Sequence, residues 1–313
     1  MLSFLARRFL ALVGTLLAAS AIVFLVLEVV PGDPALVQLG IDASAEAVER
    51  RREELGLNQP ALVRYVDWIG GLLVLDFGNS FTYETPVGQL IAQRLTVTLP
   101  LAFLALLCST LIAIPLGMFA AANRNRFGDY GVMTFSQIGV AVPNFWFGIL
   151  LLVLFAVHWQ IFNTGFPGWD AGLFAGLKAL LLPAAALALG EAAILARIAR
   201  SAILETMRED YVRTARAKGL SRGQVMVRHV LRNALIPIST IVGLQFALLL
   251  AGSIVIEEVF QLPGLGKLLI QAIGQRDLQV IKNAVVLIAV LVVFVNFLVD
   301  ALYAAIDPRP KQA

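Results

Sequence analysis

Apolar residues in this chain come in long runs, not in the alternating or one-face patterns of a soluble domain. Six runs, at residues 9–30, 98–122, 132–157, 179–199, 236–256 and 284–306, each reach the ~20 residues a helix needs to cross a bilayer. The first follows Arg7 and Arg8, which raises the signal-peptide alternative. Its apolar stretch from Phe9 to Leu27 exceeds the roughly 7–15 residues of a signal core, which predicts a retained anchor. Pro115, Gly117, Pro143, Pro183 and Gly243 fall within the runs, where neighbouring helices can satisfy the backbone groups they free.

Between the first two runs the pattern changes to short helices with punctuation. Asp33 is placed to cap a helix whose first residue is Pro34. A second helix is expected after Ser44, stopping at Gly56, and a third from Asn58-Gln59-Pro60 to Gly70-Gly71. Leu62, Val66, Ile69 and Leu73 share one face of the third, and Tyr65 and Trp68 suit a water–lipid boundary. A small helical cap on the outer surface follows, either steadying the bundle or receiving a partner.

The segment 197–235 has a different grammar. Asp210 can cap a helix running from Tyr211 through Lys218. Gly219 then occupies the left-handed position after a helix end, with Leu220 closing back on Ala215. Ser221-Arg222-Gly223-Gln224 fits a capping box, and the helix it opens is expected to align Val227, Val230, Leu231 and Ala234 and to stop at Pro237. Two capped helices joined by a sharp glycine turn suit a protein-docking surface; the bland alternative is a basic orientation signal.

Charge decides the orientation. Residues 197–235 carry nine lysines and arginines, 123–130 adds Arg124 and Arg126, and the tail adds Arg309 and Lys311. By contrast 159–177 has none, 257–283 has three, and 31–94 has five against nine acidic residues. The positive-inside rule then places both termini and the loops 123–130 and 197–235 in the cytoplasm. Composition agrees with membrane residence: 59% of residues are hydrophobic and 14% charged, against about 45–50% and about 25% in soluble domains. The mean hydropathy is +0.84. Cys108 is the one cysteine, and His158 and His229 are the two histidines, so neither an intramolecular disulfide nor a cysteine-built zinc or iron–sulfur site is available.

Gly264-Leu265-Gly266-Lys267 imitates a phosphate loop and fails as one. Gln261 stands at the first glycine position and Leu268 where a magnesium-binding Ser or Thr is needed. No nucleophile-elbow or zinc-protease motif occurs, so the chain is expected to hydrolyse no nucleotide by itself. Three ionisable residues fall in the apolar runs: Glu28 near an interface, Asp300 within reach of Asn296, and Glu191 deeper. Glu191 either lines a conduit or makes a structural helix–helix bond. A secondary transporter would need inverted repeats and paired intramembrane charges, which this pattern does not supply.

Tyr211-Val212-Arg213-Thr214-Ala215-Arg216-Ala217-Lys218-Gly219-Leu220-Ser221, followed by Arg232-Asn233-Ala234-Leu235-Ile236-Pro237, resembles the cytoplasmic signature of ABC-importer permeases. The closer resemblance is to the dipeptide/oligopeptide/nickel permease family. Pro31-Gly32-Asp33-Pro34, Leu55-Gly56-Leu57 with Pro60, and Val142-Pro143-Asn144-Phe145-Trp146-Phe147-Gly148 are similar to it as well. So are Leu262-Pro263-Gly264-Leu265-Gly266, Arg276-Asp277, Asn296 with Asp300, and Asp307-Pro308-Arg309. Where the wider superfamily opens its signature Glu-Ala-Ala, this chain reads Arg213-Thr214-Ala215, as in the peptide branch.

The resemblance implies an all-α integral membrane protein. It would have six transmembrane helices, an extracytoplasmic helical insertion between the first and second, and a two-helix cytoplasmic coupling loop between the fourth and fifth. The corresponding segments are 1–30, 31–97, a core at 98–306 with its loop at 200–235, and a tail at 307–313. It further implies a second related permease, two cytoplasmic ATP-binding subunits, an extracytoplasmic solute-binding protein, and no nucleic acid. ATP and magnesium would sit on the ATPases, with no cofactor on this chain. Docking would fall to Asp210, Tyr211, Arg213, Thr214, Ala215, Arg216, Ala217, Lys218, Gly219 and Ser221; Asn144, Trp146, Glu191 and Gln245 are the pathway candidates. The location implied is the inner, or plasma, membrane.

Overall fold

The computed structural model describes residues 2–29, 33–40 and 42–306, and within them the chain is helical, with one isolated bridge between Asn79 and Pro86. Pro31, Gly32 and the 307–313 tail lie outside the described residues, as does the Asp300 side chain. Five helices are long and apolar enough to cross a membrane, and a bent pair becomes a sixth if it is one span. The chain divides into two compact units, one of Leu2–Thr98 with Pro263–Phe294, the other of Leu99–Leu262 with the chain from Val295 on.

The first unit holds α1 (Leu2–Val29), three short helices, and α12 (Leu265–Gln275). The short helices are α2 (Pro34–Leu39), α3 (Ala45–Glu54) and α4 (Ala61–Leu73). The predicted caps form: Asp33 accepts from the Ala35 amide with Pro34 at the helix start, and Ser44 accepts from Ala47. At the end of α3, Gly56 has φ +68° while Leu57 N–H donates to Arg52 O at 2.9 Å, a glycine-turned stop. Arg52 turns back to Asp33, 2.7 Å away, and this pairing raises its already high pKa. The third helix outruns its expected end, continuing past Gly70 and Gly71 to Leu73.

Trp68 is buried and Tyr65 half-buried; the Tyr65 hydroxyl lies 2.9 Å from Ser20 Oγ and the Trp68 indole donates to Asn283 Oδ1 at 2.9 Å. Phe24 stacks on the Trp68 ring and meets Tyr65 edge-on. Their N–H and O–H groups need partners once the rings are buried, and α1 and the start of α13 (Leu278–Ile306) supply them. Asn283 also donates to the carbonyls of Phe77 and Gln279, both at 2.8 Å. Asp277, fully buried, gathers Ser80 Oγ at 2.5 Å, Thr82 N at 3.1 Å and Val280 N at 3.1 Å. It both caps α13 and ties down the loop at 80–82.

The second unit packs around α8 (Leu173–Thr206), against which α6 (Phe127–Ala141), α7 (Asn144–Leu151) and α11 (Arg232–Val259) lie. Small residues permit the approach. A Cβ on Gly139 would sit 2.9 Å from Ala193 Cβ, and one on Gly117, in α5 (Val87–Ala122), 2.7 Å from Ala199 Cβ. Ala192, Ala193, Ala196 and Ala199 of α8 are buried in the same seam. This is small-residue packing as membrane helices use it, where no hydrophobic drive separates lipid from leucine.

The third expected span is not one straight helix. Phe127–Ala141 and Asn144–His158 meet at 96°. Val142 is extended (φ −81°, ψ 122°), the conformation that a following proline favours, and Pro143 starts the next helix. Pro100, Pro115, Pro183 and Pro237 by contrast lie inside continuing helices. The expected stop at Pro237 is therefore corrected: α11 runs through it to Val259.

Candidate functional site

The basic loop is built as a clip. After α8 ends at Thr206, Glu209 takes the N-cap position of α9 (Asp210–Ala217), so Asp210 is the first helical residue and not the cap. The Glu209 side chain makes no capping bond, and the Asp210 carboxylate lies 3.4 Å from Arg213, one turn on. Acidic charge in the first turn still complements the helix dipole.

The far end of α9 closes as the glycine predicts. Gly219 has φ +84°; its N–H donates to Arg216 O at 3.0 Å, and Leu220 N–H to Ala215 O at 3.4 Å. These are the paired bonds of a Schellman stop. Ser221 follows immediately with its capping box on Gln224, opening α10 (Arg222–Gln224).

The next turn departs from α-geometry. Val225–Leu231 is a π-helix. Its wider turn moves the inward positions to Val225, Val230, Ala234 and Ile238, all buried, and turns Val227 out to solvent. Of the expected face of Val227, Val230, Leu231 and Ala234, Val230 and Ala234 are buried and Leu231 half-buried; Val227 is the exception, because a period of about 3.6 residues does not hold through the π-turn. Asn233 Nδ2 donates to His229 O at 2.8 Å, satisfying a carbonyl at the π-to-α junction.

α9 has two sides. Val212 and Ala215 are buried in one cluster with Leu195, Ala199 and Ile203 of α8 and with Val225 and Val230. Asp210, Tyr211, Arg213, Thr214, Arg216, Ala217, Lys218, Gly219 and Ser221 are exposed. Ala215 is thus an anchor pointing into the protein, unlike its neighbours in the docking set. Partial burial raises the Tyr211 phenol above its ordinary value, so it stays neutral at physiological pH. The helix is held from below and offers a polar, mostly basic upper face.

A second constellation lies on α8. Gln245 Nε2 donates to the Glu191 carbonyl at 2.9 Å, and Asn144 Oδ1 stands 3.1 Å from where Gly190 would carry a Cβ. Three of the four pathway candidates therefore meet on one turn of α8. Trp146 does not; it is half-exposed on α7. Glu191 Oε2 and Gln245 Oε1 are buried without hydrogen-bond partners among the described residues.

Three buried acidic groups were not among the candidates. Asp129 accepts from Arg200 Nε at 2.5 Å and Nη2 at 2.6 Å, and from the Asn125 amide at 2.9 Å. Glu257 lies one turn from Ser253, whose hydroxyl donates to it at 3.2 Å, and Asp277 caps α13 as described. Asp129 hides in the charged loop beside Arg124 and Arg126, and Arg200 among the orientation charges, so no local pattern pairs them.

Among the described residues the chain is thus a set of membrane-length helices carrying a two-helix loop anchored to α8. The model of the family described as "Binding-protein-dependent transport system inner membrane component" matches residues 113–312, and that of its N-terminal component matches residues 1–102. The chain belongs to this family: it is an ABC-importer permease subunit and a multi-pass inner-membrane protein. It is 39% identical over 313 residues to the oligopeptide transport system permease protein AppB of Bacillus subtilis (strain 168), covering 99% of each chain. It is 40% identical over 309 residues to the glutathione transport system permease protein GsiC of Salmonella typhimurium (strain LT2), covering 98% of each. A Brucella abortus (strain 2308) protein provisionally named a peptide transport system permease is 43% identical over 312 residues, covering 99% of each. The fold is shared with a solved structure of the MetNI methionine ABC transporter in an inward-facing conformation, at TM-score 0.59 and 19% identity, over 70% of this chain and 97% of that one.

Proposed function

We propose that this permease imports di- or oligopeptides or similar small solutes, and that α9 transmits ATPase movement to the bundle. The substrate class is supported by the relatives named for peptide, oligopeptide and glutathione transport. The bent pair counts as one span, giving six, with both termini and 197–235 cytoplasmic and the 31–97 insertion outside. Basic residues concentrate in the loops this places inside. A second related permease completes the pathway, two cytoplasmic subunits bind ATP and magnesium and hydrolyse the nucleotide, and an extracytoplasmic binding protein delivers substrate.

The observation that carries the reading is the two-sided α9. Val212 and Ala215 fix it to α8 while Tyr211, Arg213, Thr214, Arg216, Ala217 and Lys218 face out. A force applied to that face passes into α8, whose middle turn carries Glu191 beside Asn144 and Gln245. The segments act as an anchor at 1–30, an insertion at 31–97, a core at 98–306 with its loop at 200–235, and a tail at 307–313. A cysteine at Arg213 in a Cys108→Ala background tests the contact. Cross-linking to an ATPase subunit in the assembled complex is expected, with a yield that changes on adding ATP. Labelling of the free cysteine in the full complex, with no cross-link in any nucleotide state, contradicts it.

A further inference from the structure

The unit containing Leu2–Thr98 and Pro263–Phe294 carries a half-open cavity of about 290 Å³ that neither the α9 face nor the α8 cluster uses. Its apolar wall includes Phe24, Trp68, Phe77 and Phe81. Its polar wall carries five ionisable side chains: Glu28, Arg64, Asp67, Asp76 and Lys282.

Three of the five are committed. Glu28 and Arg64 form an ion pair with each other. Asp76 Oδ1 accepts from the Gly78 amide at 2.9 Å, closing a turn. Two remain. Lys282 lies 5.2 Å over the Trp68 ring and makes no ion pair among the described residues. Asp67, on the exposed rim, likewise has neither an ion pair nor a hydrogen bond there. Two more polar atoms on the wall, Arg64 Nε and Gln279 Oε1, are buried and have no partner among the described residues.

A cavity with one uncommitted cation, one uncommitted anion, an orphaned donor, an orphaned acceptor and aromatic walls has a definite complement. We infer that this cavity binds a small zwitterion with an apolar body, a dipeptide with free termini, through its carboxylate at Lys282 and its ammonium at Asp67. Arg64 Nε–H can donate to the carboxylate, and Gln279 Oε1 can accept from the ammonium or a peptide N–H. Charge-assisted bonds of this kind are about twice as strong as neutral ones and give orientation as well as affinity. The volume sits at the small end of ligand pockets, about 300–1,000 Å³, which fits a short peptide and not a long one. Lipid phosphate alone would satisfy Lys282 and leave Asp67 repelling it, so the zwitterion is the better match. The inference rests on the importer reading for its substrate class and adds a site on the permease itself.

The test is direct binding of the dipeptide Ala-Phe to the assembled permease–ATPase complex in nanodiscs, without binding protein or nucleotide, read by saturation-transfer NMR. Saturable binding in the millimolar range is expected. Amidating the C-terminus should weaken it about tenfold in the wild type and leave it unchanged in Lys282→Met. Acetylating the N-terminus should weaken it about tenfold in the wild type and leave it unchanged in Asp67→Asn. Lys282→Arg should keep the carboxylate preference, which separates lost charge from lost folding. No saturable binding, or caps that weaken wild type and matching variant equally, would overturn the site. Dipeptide uptake by the wild-type complex with its binding protein tests the importer reading separately.

Discussion

Arg200 grips Asp129 with two nitrogens, at 2.5 and 2.6 Å, across 71 residues of sequence. Asp129 is 3% exposed and Arg200 21%, so most of the pair is withdrawn from water. The bond ties the first turn of α6 to the last third of α8, nearly two turns before that helix ends at Thr206. The α9 helix and the bent α6–α7 pair are thereby fastened to the same stretch of α8.

Removing one partner is expected to hurt more than removing both. Asp129→Ala strands a guanidinium and should lower stability by on the order of 2–3 kcal/mol, below the fully buried figure because Arg200 keeps some solvent. The Asp129→Ala, Arg200→Met double variant should recover part of that loss. Thermal unfolding of the purified complexes in detergent checks the order. A double variant less stable than Asp129→Ala would contradict it.

Asn283 is the hub of the first unit, accepting from Trp68 and donating to two carbonyls. Asn283→Leu leaves a buried indole N–H and two carbonyls short of partners, a loss of about 1–3 kcal/mol. Faster limited proteolysis of the 31–97 insertion, with the rest of the chain as resistant as in the wild type, is the expected outcome. Unchanged cleavage would mean water replaces the side chain.

Glu191 and Gln245 separate a pathway role from a packing role. If the cluster meets passing substrate, Glu191→Gln should reduce uptake several-fold while the amount of assembled complex stays normal. Gln245→Leu, which deprives the Glu191 carbonyl of its donor, should lower assembly instead. Vesicle uptake and complex yield, measured together, read both. Normal values in both variants would remove the cluster from the mechanism.

Orientation has its own measurement. With Cys108→Ala as background, a cysteine at Ser221 should react with an impermeant thiol reagent only from the cytoplasmic side, and one at Asp170 only from outside. Reaction at either site from the opposite side would break the six-span arrangement.

What the sequence made legible follows from how local each signal is. The caps at Asp33, Ser44 and Ser221 and the stop at Gly219 depend on three to six consecutive residues, and the structure has each of them. Asp210 missed the cap by one position: Glu209 is the extended residue before the helix although its side chain makes no capping bond, so no side-chain signal marks the start. The Val227 error came from assuming one helical period where a π-turn intervenes, a change with no residue signature here. Pro143 and Pro237 look alike in sequence; one breaks its helix and the other does not, because packing chooses between them. The partners of Trp68, Asp129 and Asp277 lie 71 to 215 residues away, beyond any window of pattern.

The central claim is that α9 couples ATP hydrolysis to transport, and Gly219 gives the sharpest handle on it. A side chain there would meet nothing within 4 Å, so substitution acts through the backbone alone. At φ +84° a β-branched residue is strained, by about 1–2 kcal/mol, whereas asparagine tolerates the left-handed region. The deciding measurement is substrate-stimulated ATPase activity and uptake, taken together in vesicles, for Gly219→Val and Gly219→Asn. The account predicts insertion in normal amounts for both, joint loss of the two activities or of bound ATPase subunits in Gly219→Val, and near-normal behaviour in Gly219→Asn. Wild-type activity and uptake in Gly219→Val would contradict it and reduce the loop to an orientation signal.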